Sequence, residues 1–425
     1  MRRSKWFTLL AMLFALSLVT AACADDTETS PGGGNGGDAA ATCDEDEFGC
    51  VEIAEGSPMT LGTLLVITGE NASLGLDSQH GVELAADYYA DESFDGSPGE
   101  VLGHAIEFDH QDDLCSPEGG TTGARALASN EAVVAVIGTS CSGAAEPAAP
   151  ILSEEGIVLI SPSNTAPSLT DPETHEPFYL RTAHNDRIQG SAMAQFVGEE
   201  LGHKTAATIH DGSPYAEQLQ QVFADTFTSE YGGEITKQEA VQVGQKDVTP
   251  VLTSIASDSP DFLYFPVFVA EGGLITAQAR ETAGLEDTDL GGADGILTPD
   301  WIAAAGEENA EGAYLSGPDL EFSGDFYEAE FLPAYEDQFS EPTSVFHAHA
   351  FDATMMVLTA VEDVAIQEGG TTYIPRTALR DALFDMQHDG ITGALDCNEN
   401  GDCNQDATIS VSVVENGKFK RIWPE

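Results

Sequence analysis

Short apolar runs alternate with longer segments of helical apolar period along most of this chain. Leu61–Thr68 (LGTLLVIT) is a continuous apolar run of strand length. Gly81–Ala90 (GVELAADYYA) spaces its apolar residues as a helix does. Ala105–His110 reads as a strand, Thr122–Ser129 as a helix, and Ala132–Gly138 (AVVAVIG) as a strand without polar alternation. A strand apolar on both faces suits a parallel sheet covered on both sides. A helix over Glu146–Glu155 and a strand over Ile157–Ser161 complete the series of an open parallel sheet.

The series restarts near Asp186. Helix Ile188–Leu201, strand Thr205–His210, helix Ala216–Tyr231, strand Glu239–Val243, helix Val248–Ala256, strand Asp261–Pro266 and helix Gly273–Ala283 follow in order. Two more helices are expected over Asp325–Phe339 and Ala348–Ile366. The chain closes on a hairpin, Thr408–Val414 and Lys418–Trp423, around the turn pair Asn416-Gly417. The pattern is α/β, and 425 residues suit two cores better than one.

The N-terminus does not share this pattern. Arg2, Arg3 and Lys5 precede an apolar run, Trp6–Val19, too short to span a bilayer. Residues 1–22 therefore read as a secretory signal. Thr20-Ala21-Ala22 followed by Cys23 resembles a bacterial lipobox, although Leu is usual where Thr20 stands. The resemblance implies a lipid on Cys23 and an extracytoplasmic protein anchored to the cell membrane. Residues 23–58 are rich in Gly, Ala and acids and read as a flexible linker, with ordered structure beginning near Met59.

Charge narrows the partners. Asp and Glu number 73 against 15 Lys and Arg, a net charge of −58. Such a surface repels nucleic acid and anionic lipid and fits a saline habitat. With Cys23 set aside, six cysteines remain, as Cys43/Cys50, Cys115/Cys141 and Cys397/Cys403. In an exported chain these read as disulfides. No C-x-x-C is present and no histidine pair stands at ligand spacing beside them, so no metal or cofactor is expected.

More specific pieces then appear. The stretch VIGTSCSGAAEPAAPILSEEGIVLISPSNTAPSLT (136–170), with GVELAADYYAD, DHQDDLCSPEGG, LRTAHNDRIQG, IHDGSPYAEQL and the closing ENGKF, resembles the periplasmic binding proteins of the branched-chain amino acid kind. The resemblance runs from about Leu61 to Trp423. It implies a type I fold: two Rossmann-like lobes with parallel sheets, joined by three crossovers near Thr182, Gly317 and Gly393. Lobe one would be residues 59–182 plus 318–393, and lobe two 183–317 plus 394–425. It also implies a monomer that binds an amino acid between the lobes and delivers it to ABC transporter permease subunits.

The resemblance assigns contacts residue by residue. Ser142, at a helix start after Ala132–Gly138, matches a position that holds the ligand carboxylate, and free N–H groups at a helix start suit an anion. The competing role for Ser142 is a simple helix cap. Thr165 matches a second carboxylate contact, and Asn164 a contact to the ammonium through its backbone oxygen. Tyr215 matches a tyrosine that covers the bound amino acid. Phe268 stands where relatives often have Tyr, and Asp294 where an acid, often Glu, pairs with the ammonium. Near Leu74 relatives often carry an aromatic residue, which bears on the side-chain pocket. The family also holds binders of amides, urea and aromatic acids, and ligand-sensing lipoproteins.

Two rival chemistries compete with this reading. His210, Asp211 and Ser213 have the residue types of a hydrolytic triad, but neighbours on one loop rarely converge as a triad must. Asp396, Asn398, Asn400 and Gly401 match half of a calcium loop, yet position twelve is Ala407 instead of Glu. A disulfide-stapled turn is the simpler expectation, and no enzyme is expected.

Overall fold

The computed structural model describes residues 39–424, so Cys23 and the expected signal segment lie outside it. Six strands form the first sheet. Their spatial order is Glu100–Val101, His104–Asp112, Met59–Leu65, Val133–Gly138, Val158–Ser161 and Tyr179–Arg181. All pairings are parallel except the edge pair Glu100–Val101 with His104–Asp112. The two-sided apolar character of Val133–Gly138 is used on both faces. Val134 and Ile137 pack with Val82, Ala350 and Met356 of the helices Ala72–Asp91 and His347–Val364. Val133 and Val136 pack with Ala124, Leu127, Ala145 and Ala148 of the helices Pro117–Ala128 and Ser142–Glu154. These helix pairs touch at backbone distance. A Cβ at Gly120 would lie 2.1 Å from the Ala144 carbonyl oxygen, and one at Gly81 2.1 Å from that of His347.

The second sheet has seven strands, in the order Lys418–Trp423, Ile409–Glu415, Tyr314–Pro318, Asp289–Gly292, Phe262–Tyr264, Thr205–His210 and Glu234–Ala240. Its last five strands run parallel, and the terminal hairpin joins antiparallel to Tyr314–Pro318. One large apolar cluster, with Phe223, Phe227, Phe262, Tyr264, Phe265 and Trp301, fills both faces.

In each sheet the chain order reverses once. In the first, this lies between Met59–Leu65 and Val133–Gly138; in the second, between Thr205–His210 and Phe262–Tyr264. The loops that leave the carboxyl ends of these four strands flank the crevices in which such folds place ligands.

Three passages connect the lobes. The first two lie close to Thr182 and Gly317, between Arg181 and Asp186 and after Pro318. The third is later than Gly393. Gly393–Asp396 pairs with Gln387–Gly390, and Leu395, Cys397 and Cys403 sit in the core of lobe one. The Cys397–Cys403 bond and a hydrogen-bonded ion pair from Arg181 Nε to Asp402 (2.5 Å) hold this segment down, so the chain crosses over residues 404–408.

The linker reading also needs correcting. Residues 39–58 are not all flexible: Ala39–Glu45 is helical, and Cys50–Ala54 is a strand paired antiparallel with Thr371–Pro375. Val51 and Ile53 alternate into the core, Phe48 meets the Phe178 ring edge-on at 5.0 Å, and Cys43 is bonded to Cys50. The acid-rich composition hid this two-residue alternation. Among the described residues no helix is long and apolar enough to cross a membrane.

The excess of 58 negative charges gives the first testable consequence. Like charges repel in the folded state and are screened by salt over about 3 Å at 1 M. The melting temperature is expected to rise steadily from low to molar NaCl. A flat profile would show that surface repulsion costs this fold nothing.

Candidate functional site

The loop after Val133–Gly138 is held from below by Asp113. This fully buried carboxylate accepts hydrogen bonds from the backbone N–H groups of Ser140 (2.7 Å), Cys141 (3.4 Å) and Cys115 (2.7 Å). Burial pushes it up to about 7 against the pull of those bonds. Cys115 and Cys141 are themselves bonded, and Ser140 Oγ accepts from Val66 N at 3.0 Å. The start of the helix Ser142–Glu154 is thereby fixed from three sides. The bridge closes a loop of 26 residues, worth about 3 kcal/mol by chain entropy. Replacing both Cys115 and Cys141 by Ser is expected to lower stability by about that amount, read as a reduced midpoint in urea.

Ser142 is buried and is not the cap. Cys141 holds that position, while Ser142 Oγ accepts from Ala166 N at 3.3 Å. The simple-cap role for Ser142 is thus ruled out. This bond ties the helix start to the loop after Val158–Ser161. There the side-chain oxygen of Asn164 accepts from Thr139 (3.1 Å) and Tyr179 (3.2 Å), and its Nδ2 has no partner. Its backbone oxygen, the atom expected to face an ammonium, accepts instead from Arg181 Nη1 at 3.1 Å. Arg181, fully buried, also donates to the Ala166 carbonyl (2.9 Å) and Thr170 (2.6 Å) and so braces this loop from behind.

The carbonyl of Thr165 accepts from Asp186 N at 2.9 Å, which links the loop to the first passage between lobes. Both carboxylate oxygens of Asp186 are buried without a hydrogen-bond partner. The Thr165 hydroxyl lies near enough to favour the Asp186 charge but makes no well-formed hydrogen bond to it. Burial, and then the neighbouring Asp294, raise Asp186 well above the ordinary carboxylate range.

Lobe two supplies the other wall. Ser213 caps the helix Pro214–Ser229, which sets Tyr215 in its first turn. Tyr215 donates to Asp294 (3.2 Å), accepts from Gly295 N (3.1 Å), and lies 5.2 Å from the Phe268 ring. Asp294 also accepts from Gln189 Nε2 at 2.8 Å. Burial pushes Asp294 up to about 6 against those two bonds. The hydroxyl of Tyr264, beside Ser316, faces the same carboxylates, and burial raises it well above its usual value. All six expected contacts are buried.

The lobes are closed on each other here. Ser168 N and Oγ bond the Gln218 side chain at 2.9 and 2.8 Å, and Thr298 bonds Ser73 at 3.2 Å. Leu74, of lobe one, packs in the apolar cluster of lobe two with Tyr215 and Phe268. A cavity of about 500 Å³ between Leu297, Pro318, Tyr327, Val345, Phe419 and Arg421 lies to one side, and none of the six lines it.

The rival constellations resolve into local structure. His210 accepts from Gly212 N, Asp211 from Ser213 N, and Ser213 from Ala216 N, so each serves its own loop. In the Asp396–Gly401 segment, Asn398 accepts from the backbone of Asn400 and Asp402, and Asp402 pairs with Arg181. Sequence reasoning missed Asp186, Gln189, His184 and Tyr264, although the first three stand inside the LRTAHNDRIQG piece.

Residues 58–418 match the sequence profile of the periplasmic binding proteins. The chain belongs to that family. Among curated relatives of this periplasmic binding protein, the leucine-, isoleucine-, valine-, threonine- and alanine-binding protein of Pseudomonas aeruginosa is 28% identical over 312 residues, 73% of this chain and 80% of the relative. The solved leucine-binding protein LivK of Thermotoga maritima superposes with a TM-score of 0.75 at 25% identity, over 86% of this chain and 97% of its own. The branched-chain amino acid transporter substrate-binding protein LivJ of Streptococcus pneumoniae, solved with isoleucine, gives 0.72 at 25% identity, over 87% and 100%.

Proposed function

We propose that this protein is an extracytoplasmic solute-binding lipoprotein of an ABC importer, anchored through Cys23, that closes its lobes on an α-amino acid with an apolar side chain. One observation carries the ligand class. Asp186 and Asp294 are two carboxylates buried together, and Asp186 has no hydrogen-bond partner. A sealed pair of acids calls for a cation. The same loop, Asn164–Ala166, connects them to a helix start at Ser142, which suits an anion. An α-amino acid carries both charges one carbon apart. Phe268, Tyr215 and Leu74 supply apolar surface beside them.

Closure follows from the division of contacts. Ser142 and Thr165 stand on lobe one, Tyr215 and Asp294 on lobe two. A ligand that touches both binds the closed state better and shifts the population towards it. The closed form is then the shape offered to the permease.

Ligand-induced thermal shift of the purified protein tests this. The panel is Leu, Ile, Val, Phe, polar amino acids, short amides, urea, benzoate and simple carboxylates. A ligand at a hundredfold its dissociation constant adds roughly 2.7 kcal/mol, a clear rise in melting temperature. A rise with apolar α-amino acids is expected. A rise only with ligands lacking an α-amino group would end the amino-acid reading.

A further inference from the structure

The cavity beside Leu297 takes its walls from both lobes. Lobe two contributes one face of the terminal hairpin. Ser410 and Ser412 are alternate residues of Ile409–Glu415, Phe419 and Arg421 alternate on Lys418–Trp423, and Ser412 stands opposite Arg421. Alternate residues of a strand share a face. Lobe one contributes Tyr327, Leu332 and Val345, and the second passage contributes Pro318–Glu321. Within this largely apolar lining, three hydroxyls are left over. Ser344, Ser410 and Ser412 are 8, 8 and 9% exposed, yet none of their side chains bonds to another described residue. A buried hydroxyl without a partner costs free energy, which a ligand able to bond it relieves. The charges are unequal as well. Arg421 donates twice to Asp319 (2.9 and 2.8 Å) and lies 3.4 Å from Glu321, so its charge is met within the protein. Glu336 and Glu341 also line the cavity, and neither pairs with a base among the described residues.

We propose that this cavity is a second ligand site, for a small molecule with an apolar body, a cationic head and no carboxylate, and that its occupant favours the closed form. Its volume of about 500 Å³ falls within the roughly 300–1,000 Å³ of small-molecule sites. Leu297, Val345 and Phe419 offer surface to the body. Glu336 and Glu341 attract the head, and the four carboxylates repel an anion. The coupling follows from how the walls are joined. Ser73 of lobe one bonds Thr298 of lobe two (3.2 Å), and its carbonyl accepts from Thr343 of lobe one (2.9 Å). Thr298 lies between the lining residues Leu297 and Pro299, and Thr343 is itself a lining residue. Parting the lobes breaks the bond between Thr298 and Ser73 and draws these walls apart. A molecule that fits between them therefore binds the closed form better, and leucine and this occupant strengthen each other reciprocally. The site stands without the amino-acid reading; its coupling to leucine rests on it.

Calorimetric titration of the full chain with 2-phenylethylamine, 2-phenylethanol and 3-phenylpropanoate tests this, because the three share an apolar body and differ in charge. The amine is expected to bind at least tenfold more tightly than the alcohol, and the anion not at all. Ser412→Leu fills the cavity and should abolish amine binding. The double variant Glu336→Gln, Glu341→Gln changes only exposed side chains, so it guards against a folding defect; it should bring the amine down to the level of the alcohol. Saturating L-leucine should tighten the amine at least threefold. Silence towards the amine, equal binding of amine and anion, or unchanged amine binding in Ser412→Leu overturns the site. Displacement of the amine by leucine also overturns it, since the amine would then sit in the amino-acid site. An amine affinity that bound leucine leaves unchanged overturns the coupling. Failure of leucine to bind overturns the amino-acid reading, while the amine and the two variants still judge the site.

Discussion

Replacing Asp77 by alanine is expected to cost this protein more stability than any other single change at a polar residue of lobe one. Asp77 is fully buried in the helix Ala72–Asp91, and its carboxylate accepts from the backbone N–H groups of Thr343, Ser344, Phe346 and His347, from Tyr335 and from His347 Nδ1. Burial alone would raise this carboxyl; the adjacent His347 and these bonds outweigh it and hold the value below 3.8. Its folded value is depressed, so its contribution is present above the ordinary carboxylate range and is lost as pH falls through the folded value. Truncation at neutral pH leaves several buried donors unmatched, about 3–5 kcal/mol for a broken buried pair. In a lobe of this size the melting temperature should fall by roughly 10 °C. Asp77→Asn should be nearly as harmful, because every partner of Asp77 is a donor and the new amide must present one of its own. A loss below about 1 kcal/mol in either variant would mean the site relaxes or admits water. The effect is not confined to one helix. Residues 343–347 lead into the helix His347–Val364, so Asp77 also ties the start of that helix to Ala72–Asp91.

How much of this was legible follows from the kind of signal each part leaves. The strands Thr205–His210 and Val133–Gly138 carry continuous apolar runs, and their bounds fall within a residue of expectation. The helix Ser142–Glu154 starts four residues earlier than the periodicity indicated, because Ser142–Ala145 are small residues without apolar period, yet they are the residues that matter for the site. The strand Cys50–Ala54 was missed since its partner, Thr371–Pro375, lies far along the chain and its acids resemble those of a linker. The same distance effect governs the site. Ser142, Asn164, Thr165, Tyr215, Phe268 and Asp294 came from matched pieces, and all six are buried in the structure. Asn185-Asp186 looks, in sequence, like an ordinary helix start, and Asn185 does cap its helix. Nothing in one dimension shows that the next carboxylate faces Asp294. That pairing, and the bond from Gln189 to His184, exist only after the three passages have brought lobe two against lobe one.

The second large effect concerns Asp294, where binding and stability are expected to move in opposite directions. Asp294→Asn keeps an oxygen for Gln189 and Tyr215, so the local bonds survive. It removes a buried carboxyl held near pH 6 instead of 3.8, which corresponds to roughly 3 kcal/mol of destabilisation of the ligand-free protein at neutral pH. The sign is fixed by the raised folded value. The cost is present in full above pH 6, and is relieved as pH falls towards 3.8, where the group is protonated folded or unfolded. The variant should therefore melt higher than the wild type at pH 7.5, and the gap should close by about pH 4. Comparing the two proteins at each pH cancels the opposite contribution of His184, which burial holds down at about 4 and which loses stability as pH falls. On the proposed reading, the same substitution removes a buried charge partner of the ammonium, a loss of about 2–5 kcal/mol, or thirtyfold and more in affinity. In the wild type, an ammonium displaces the proton that the acid pair would otherwise share, so leucine binding should release protons and weaken as pH falls below 6, approaching tenfold per unit. Titration calorimetry in buffers of different ionisation enthalpy reads that release directly. A variant that binds leucine normally, or wild-type affinity flat from pH 7.5 to 4.5, would remove Asp294 from the ligand's charge balance. A variant that binds weakly yet melts lower would show that the acid is held in place by the fold and is not strained against it.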